Sequence, residues 1–345
     1  MNTLLIHHAG CPDGLMAAAV ALRAIRLRDP AADVDVLPAA YNRPLESIVS
    51  PERAASAAAV YLLDFSLPPA DLDRLAAQVP PGAKIVVLDH HKSAVERFTT
   101  TFVTEKRVED RLAYVEFGVE IGEDRVIHAG VFWRRWSPPA PVDLQLDLAH
   151  SGAALAWLHF HPGEPLPQLV AHVEDYDLWR HALPDSRAVH AYLRSIGEDA
   201  EAYAALLGEE GRRSLCGDSV CGVSPMDEWT AEGRAILRAN AVQARHMAGA
   251  AEEVAIDGVP ALAACAPVLQ DDVGEILYNE AKSGLAAVWC RRKGKWKVSL
   301  RSMPKGGAQV DCAEMAMRRG GGGHKSSASF ECDELPWAWP RRVEP

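Results

Sequence analysis

The sequence predicts an α/β protein with a doubly wound, mostly parallel N-terminal sheet, a helical linker and a smaller C-terminal α/β domain. Three observations predict it. Short apolar runs alternate with helical patterns from residue 3 to about 180, the order that βαβ units produce. Between Ala188 and Met247 the pattern is helical only, ending in a long amphipathic stretch from Trp229. Strand patterns then resume on either side of Lys293-Gly294, a hairpin signal.

Taken in order, Thr3–Ile6 is the first strand and Leu15–Leu27 the first helix. Asp33–Leu37 is a strand, and Glu46–Ile48 lies in a turn or short helix. Val60–Leu63 is a third strand, Asp71–Gln78 a helix, and Ile85–Leu88, preceded by Pro80-Pro81-Gly82, a buried parallel strand. Phe102-Val103, Ala113–Phe117 and Val126–Val131 alternate like short strands, punctuated by Gly118, Gly122 and Gly130. Trp133-Arg134-Arg135-Trp136 reads first as a packed hairpin and second as a segment that stacks a base. Ser151 caps a helix running to Leu158, whose N-terminal amides either face a phosphate or simply pack. Helices are expected at Ala188–Leu193, Glu198–Leu207 and Trp229–Met247. Strands follow at Val254–Ile256, Ala261–Cys265, Ala286–Arg291 and Lys295–Arg301, with a helix at Val310–Met317. The expected divisions are 1–184, a linker over 185–250, a second domain over 251–335 and a tail from 336.

The chain has 345 residues, room for two domains, and its 48% hydrophobic and 24% charged content is that of an ordinary globular protein. A net charge of -11 argues against gripping long duplex DNA, which needs many Lys and Arg on phosphates. The basic residues instead crowd the C-terminal part, from Arg291 to Lys325. No apolar stretch is long enough to span a bilayer, and no export signal precedes the first strand. With seven cysteines, an odd number, the protein is expected to be cytoplasmic with reduced thiols. Cys216 and Cys221 lack a second pair at zinc spacing.

Chemistry concentrates where predicted strands end. His7-His8-Ala9-Gly10-Cys11-Pro12-Asp13-Gly14 follows the first strand, Asp64 closes the third and Asp89-His90-His91 closes the fourth. Imidazole and carboxylate are the usual ligands of Mn, Fe and Zn, and open α/β sheets bind ligands at these strand ends. A single acid here is as well explained by a cap or turn, Asp13 by the helix behind it. Three strand ends carrying the same chemistry are not.

These residues resemble the DHH phosphoesterase superfamily, in the branch with an associated C-terminal substrate domain. His7, Cys11 and Asp13 fall in its H-x-x-x-D-x-D spacing, Asp64 in its second motif, and Asp89-His90-His91 in its third. Glu174-Asp175-Tyr176-Asp177 matches its fourth motif, and Gly320-Gly321-Gly322-Gly323-His324 its C-terminal Gly-rich turn. The resemblance implies a catalytic domain over 1–184 and a substrate-binding domain over 251–335. It implies two divalent ions, Mn first. Cys11 stands where the pattern has a carboxylate, so Zn or Fe is open if its thiolate ligates, and it otherwise stays a thiol. His7, Cys11 and Asp64 are the implied ligands of one ion, and Asp13, Asp64, His90 and Asp175 of the other, with Asp177 as the alternate to Asp175. Asp64 is the implied bridge. Asp89 is expected to orient a ligand or an imidazole, and His91 to touch phosphate or protonate the leaving oxygen. His8 has no counterpart in the pattern and reads as packing or as support behind the ligands. Arg301, Gly321, Gly322, Gly323 and His324 are implied to grip the substrate's phosphate or nucleotide.

The expected function is metal-dependent hydrolysis of short oligonucleotides or small nucleotides by a metal-activated water between the two domains. An inorganic pyrophosphatase or polyphosphatase, and a nucleotide sensor weakened at Cys11, are the alternatives. Short nucleic acid or nucleotide is the expected partner, with no membrane and no long duplex DNA; a homodimer is compatible with this reading.

Overall fold

The computed structural model describes residues 2–41, 43–95, 97–98, 130–135, 142–216 and 224–337, with backbone alone for 130–135 and 212–216. It divides into two units, Met1–Arg234 and Ala235–Pro345.

The first unit is built on a six-stranded sheet. Its strands are β1 (Asn2–His8), β2 (Val34–Ala39), β3 (Ala57–Leu63), β4 (Lys84–Asp89), β5 (Gly130–Arg135) and β6 (Val142–Asp147). Their order is β2-β1-β3-β4-β6-β5, parallel throughout except for β5, which pairs antiparallel with β6. The chain leaves β1 to one side for β2 and returns to its other side for β3. That reversal places a ligand-binding crevice at the C-terminal ends of β1 and β3.

The central strands β1, β3 and β4 carry continuous apolar runs because both sheet faces are covered there. Leu5, Leu63, Val86 and Leu88 pack on one face with α1 (Pro12–Arg28) and α5 (Gly152–Phe160). Leu4, Ile6, Val60, Leu62, Ile85 and Val87 pack on the other with α4 (Pro69–Gln78). Two short helices, α2 (Leu45–Ile48) and α3 (Pro51–Ser56), precede β3. Strand β6 has no counterpart in the sequence reading. Its Val142, Leu144 and Leu146 are buried while Asp143, Gln145 and Asp147 are not, a half-buried alternation that looks polar when read as a run.

Helices α6 (Gln168–Asp177), α7 (Ser186–Ser195) and α8 (Ala200–Cys216) follow, and Val189, Leu193, Tyr203 and Leu206 join the core around α1. Helix α9 (Pro225–Ala248) runs across the division between the units. Among the described residues no helix is long and apolar enough to cross a membrane. The expected strands at Phe102-Val103 and Ala113–Phe117, the residue Cys221 and the tail beyond Trp337 lie outside the described residues, as do the side chains of Trp133 to Trp136.

The second unit carries β7 (Glu252–Ile256), β8 (Val259–Cys265), α10 (Gln270–Glu280), β9 (Leu285–Arg292), β10 (Lys295–Ser302), α11 (Cys312–Met317), β11 (Gly322–Gly323) and β12 (Ser327–Cys332). Its mixed sheet has the order β11-β12-β10-β9-β8-β7, with only β8 and β9 parallel. Lys293 (φ 49°) and Gly294 (φ 84°) make the expected two-residue hairpin turn, both left-handed as a type I′ turn requires. Val298, Leu300 and Phe330 pack with Met315 on one face of this sheet, and Ala286 and Val288 with Val273 and Leu277 on the other.

Candidate metal centre

Strand β1 runs two residues past its apolar stretch, so His7 and His8 occupy its last positions and point to opposite faces. His7 donates through Nδ1 to the His8 carbonyl (3.0 Å). His8 instead brings its Nδ1 to 3.3 Å from Asp64 Oδ2. Gly14, in the first turn of α1, lets the helix approach here: a Cβ on it would stand 2.5 Å from the His8 carbonyl oxygen.

Asp64 follows β3 in a left-handed conformation (φ 53°), pinned by its N–H to the Leu88 carbonyl (2.8 Å), and it is 1% exposed. A buried non-glycine residue in that region is held there by its surroundings, as at many functional sites. Its Oδ1 lies 3.1 Å from His90 Nε2. The two oxygens of one carboxylate therefore face two different histidines.

Asp89 ends β4 and turns its carboxylate back on its neighbours. Oδ1 accepts from the backbone N–H of His90 (2.8 Å) and His91 (3.1 Å) and from His91 Nδ1 (2.7 Å). This fixes the turn and ties His91 Nδ1–H to Asp89; burial opposes the His91 charge, but the Asp89 carboxylate overcomes it and raises the pKa. Tyr41 contributes its hydroxyl at 3.3 Å from the same ring nitrogen and its ring face beside His8, a contribution that nothing in the sequence signals.

On the far side of His90, Asp13 accepts from the backbone N–H of Gly152 (2.6 Å) and Ala153 (3.0 Å) at the start of α5. The α5 amides, expected either to face a phosphate or to pack, hold this carboxylate. Gly152 has to be glycine: a Cβ would stand 2.4 Å from Asp64 Cβ and 2.8 Å from Asp13 Oδ2. His90 Nε2 is 3.7 Å from Asp13 Oδ2 and 3.4 Å from Asp177 Oδ2.

Two ligand groups result, His8–Asp64–His91 and Asp13–Asp64–His90, each with its ligand atoms within 4.8 Å of one another. Both contain Asp64. Burial opposes the Asp64 charge, but hydrogen bonds from His8 and His90 overcome it and hold the carboxyl far below the usual range. Burial and then Asp64 and Asp177 push Asp13 well up, and burial pushes Asp177 up with Asp64 adding to it. Burial resists the His90 charge, yet the surrounding acids raise its pKa to about 10. Three converging carboxylates with too little positive charge among them are what a divalent cation relieves. The mixed imidazole and carboxylate donors suit Mn, Fe or Zn.

The expected residues divide as follows. Asp13, Asp64, Asp89, His90 and His91 come together. Asp175 does not: its carboxylate accepts from the Ala182 N–H (2.8 Å), the Leu183 N–H (3.2 Å) and the Ser186 hydroxyl (2.5 Å). Asp177, its alternate, is the acid at the cluster. Two residues on a helix lie about 200° apart, so only one of them can face His90. His7 is in neither group, and His8, read as packing or as support behind the ligands, stands in one of them. Cys11 lies beside the cluster with its Sγ 3.9 Å from Asp177 Oδ1, and burial and three carboxylates push its thiol well up, away from the thiolate that ligates metal.

In the second unit Arg301 pairs with Asp271 across to α10. Gly321 and Gly323 are glycines because β12 passes there: a Cβ would stand 2.2 Å from the Ser329 carbonyl at Gly321 and 2.5 Å from the Ser327 carbonyl at Gly323. Gly322 has open space beside it, and the His324 N–H bonds the Ser327 carbonyl (2.7 Å).

No family model matches the chain. It is 24% identical over 196 residues to an uncharacterised protein of Acanthamoeba polyphaga mimivirus, a match covering 55% of this chain and 43% of that protein, so the chain spans less than half the length of this relative. Among solved structures, 96% of the chain aligns with 86% of the exonuclease RecJ bound to manganese (17% identity, TM-score 0.40). Equally, 97% aligns with 87% of an exopolyphosphatase-related protein from Bacteroides fragilis (12%, 0.41), and 96% with 93% of the pGpG-specific phosphodiesterase PggH from Vibrio cholerae (12%, 0.40). At these scores the superpositions say nothing about the site, whose ligand groups stand on this chain's own residues. Each of these three solved structures aligns with nearly the whole length of the chain, at 12–17% identity.

Proposed function

We propose that the protein is a metal-dependent phosphodiesterase acting on short oligonucleotides or small nucleotides, with two divalent ions, Mn first. One observation carries this reading: the buried Asp64 carboxylate belongs to both ligand groups, with Oδ2 toward His8 and Oδ1 toward His90 and His91, so it could be shared by two ions. Bound ions supply a nucleophile at neutral pH and cancel charge on the transferring phosphoryl group.

The chain's own residues do the rest. Asp64 sets the spacing of the two groups, with His8 and His91 on one side and Asp13, His90 and Asp177 on the other. Asp89 holds the His91 ring through Nδ1, so that Nε2 is the nitrogen that meets an ion or moves a proton. The α5 amides keep Asp13 aimed inward without a cationic side chain. In the second unit, Gly322 and His324 are the proposed nucleotide contacts, and Arg301 reaches a phosphate only by exchanging Asp271 for it.

The test is hydrolysis of a 5′-labelled RNA dinucleotide by the full chain in Mn, with a dinucleotide panel and pyrophosphate alongside. Mononucleotide release that stops with chelator is the expected result. Phosphate release from pyrophosphate alone would replace this reading with a pyrophosphatase. Metal binding with no turnover in Mn, Zn or Fe would replace it with a sensor.

A further inference from the structure

The segment following Asp177 has a shape that the metal centre does not require. Trp179 (φ 55°) and His181 (φ 46°) are both left-handed, a conformation bulky side chains rarely adopt. They are held there by the backbone: the Trp179 N–H donates to the Tyr176 carbonyl (3.0 Å) and the Arg180 N–H to the Asp175 carbonyl (3.0 Å). The Asp175 carboxylate ties down the next two amides, at Ala182 and Leu183. The product of this tying is an indole that is 39% exposed, two residues from Asp177.

Other rings back it. His190 stacks on Tyr176 (centroids 3.7 Å apart, planes 20° apart), Tyr176 lies beside Trp179 (6.4 Å, 29°), and His181 meets the indole edge-on (5.4 Å, 81°). The Cα atoms of Asp177 and Trp179 are at most ~7 Å apart, so the indole leaves the chain beside the acid that faces His90. A solvent-accessible aromatic ring on a fixed backbone is the element that base stacking uses.

We propose that Trp179 is the stacking platform for a nucleobase of the substrate, and so makes the site prefer nucleotides over base-free phosphoesters. This rests on the nucleotide reading above and names the residue behind its substrate class.

The experiment measures binding, not turnover. Adenosine 5′-monophosphate and ribose 5-phosphate, which differ by the base, are titrated calorimetrically into the Mn-loaded full chain, its Trp179→Ala variant and its Trp179→Phe variant. The expected result is that Trp179→Ala weakens the mononucleotide by ~10-fold or more and narrows its advantage over ribose 5-phosphate by the same factor, while Trp179→Phe restores most of it. Equal weakening of both ligands, an unchanged advantage in Trp179→Ala, or no advantage in the unmodified chain would overturn the proposal. Because no hydrolysis is read, a chain that prefers the mononucleotide but cleaves nothing would keep the platform and remove the phosphodiesterase.

Discussion

Asp175 and Asp177 leave the same helix two residues apart and meet opposite surroundings. Asp175 is enclosed by donors of its own chain, two amides and a hydroxyl, and its charge is satisfied. Asp177 turns toward Asp13, Asp64 and His90, where carboxylates outnumber cations and its pKa is pushed up. A buried acid that is fully hydrogen-bonded holds structure together; one that faces other acids waits for a cation. By this criterion the region around Asp175 is a brace, and the strand ends of β1, β3 and β4 are the candidate site.

The comparison breaks most visibly at Asp64. Asp64→Asn removes the charge that both ligand groups share, and Mn-dependent turnover should fall by roughly 10³-fold or more, about 4 kcal/mol of activation free energy. Retained turnover would show that the cluster is not the site. Asp175→Ala should do the reverse. It leaves buried donors without an acceptor, costing about 3 kcal/mol, so thermal unfolding of the first unit should move down by ~6–12 °C, with Mn affinity changed only a few-fold. A large loss of Mn affinity in a variant as stable as the unmodified chain would make Asp175 a ligand after all.

Mn should in turn stabilise the chain, by about 2.7 kcal/mol at a hundredfold excess over its dissociation constant. Asp177→Asn should shrink that gain while raising the melting temperature of the metal-free chain, because it removes one of three clustered negative charges.

The smallest effect, and the one that sharpens the contrast, is in pH. Asp175 is buried, which raises its pKa, but the Ser186 hydroxyl and the two amides overcome this and hold it below the ordinary carboxylate value. Its contribution is therefore complete above pH ~4 and lost as pH falls through its depressed pKa. Asp13 and Asp177 are raised, so in the metal-free chain they favour the folded state increasingly as pH falls from neutral through their raised values. Denaturant midpoints of the unmodified chain, Asp175→Asn and Asp177→Asn between pH 3 and 7 should show opposite slopes for the two variants relative to the parent. Parallel slopes would mean that the two acids share one environment.

Much of this was legible before any coordinates. The alternation of apolar runs and helices announces a parallel sheet, because strands covered on both faces read as near-continuous apolar runs. Asp64 and Asp89-His90-His91 announce the site, because strand ends at a reversal in strand order are where such sheets bind ligands. The Lys293-Gly294 turn is local chemistry and was equally plain. Half-buried β6 was missed because its polar alternation carries a weaker signal than its neighbours.

What only the tertiary structure decided is which of two neighbouring candidates faces the Asp64 cluster. His7 and His8 differ by one position on a strand, and Asp175 and Asp177 by two on a helix, so each pair is split between opposite faces. The glycines divide in the same way: Gly152 is required by the approach of α5 to Asp64, and Gly321 and Gly323 by the passage of β12. The chain by itself determined which residue types arrive at the strand ends, since periodicity and local turn chemistry act over a few residues. It left open where β1 stops and how α6 is rotated, because those depend on packing against other elements: β2 and β3 for β1, and α1, α5 and α7 for α6.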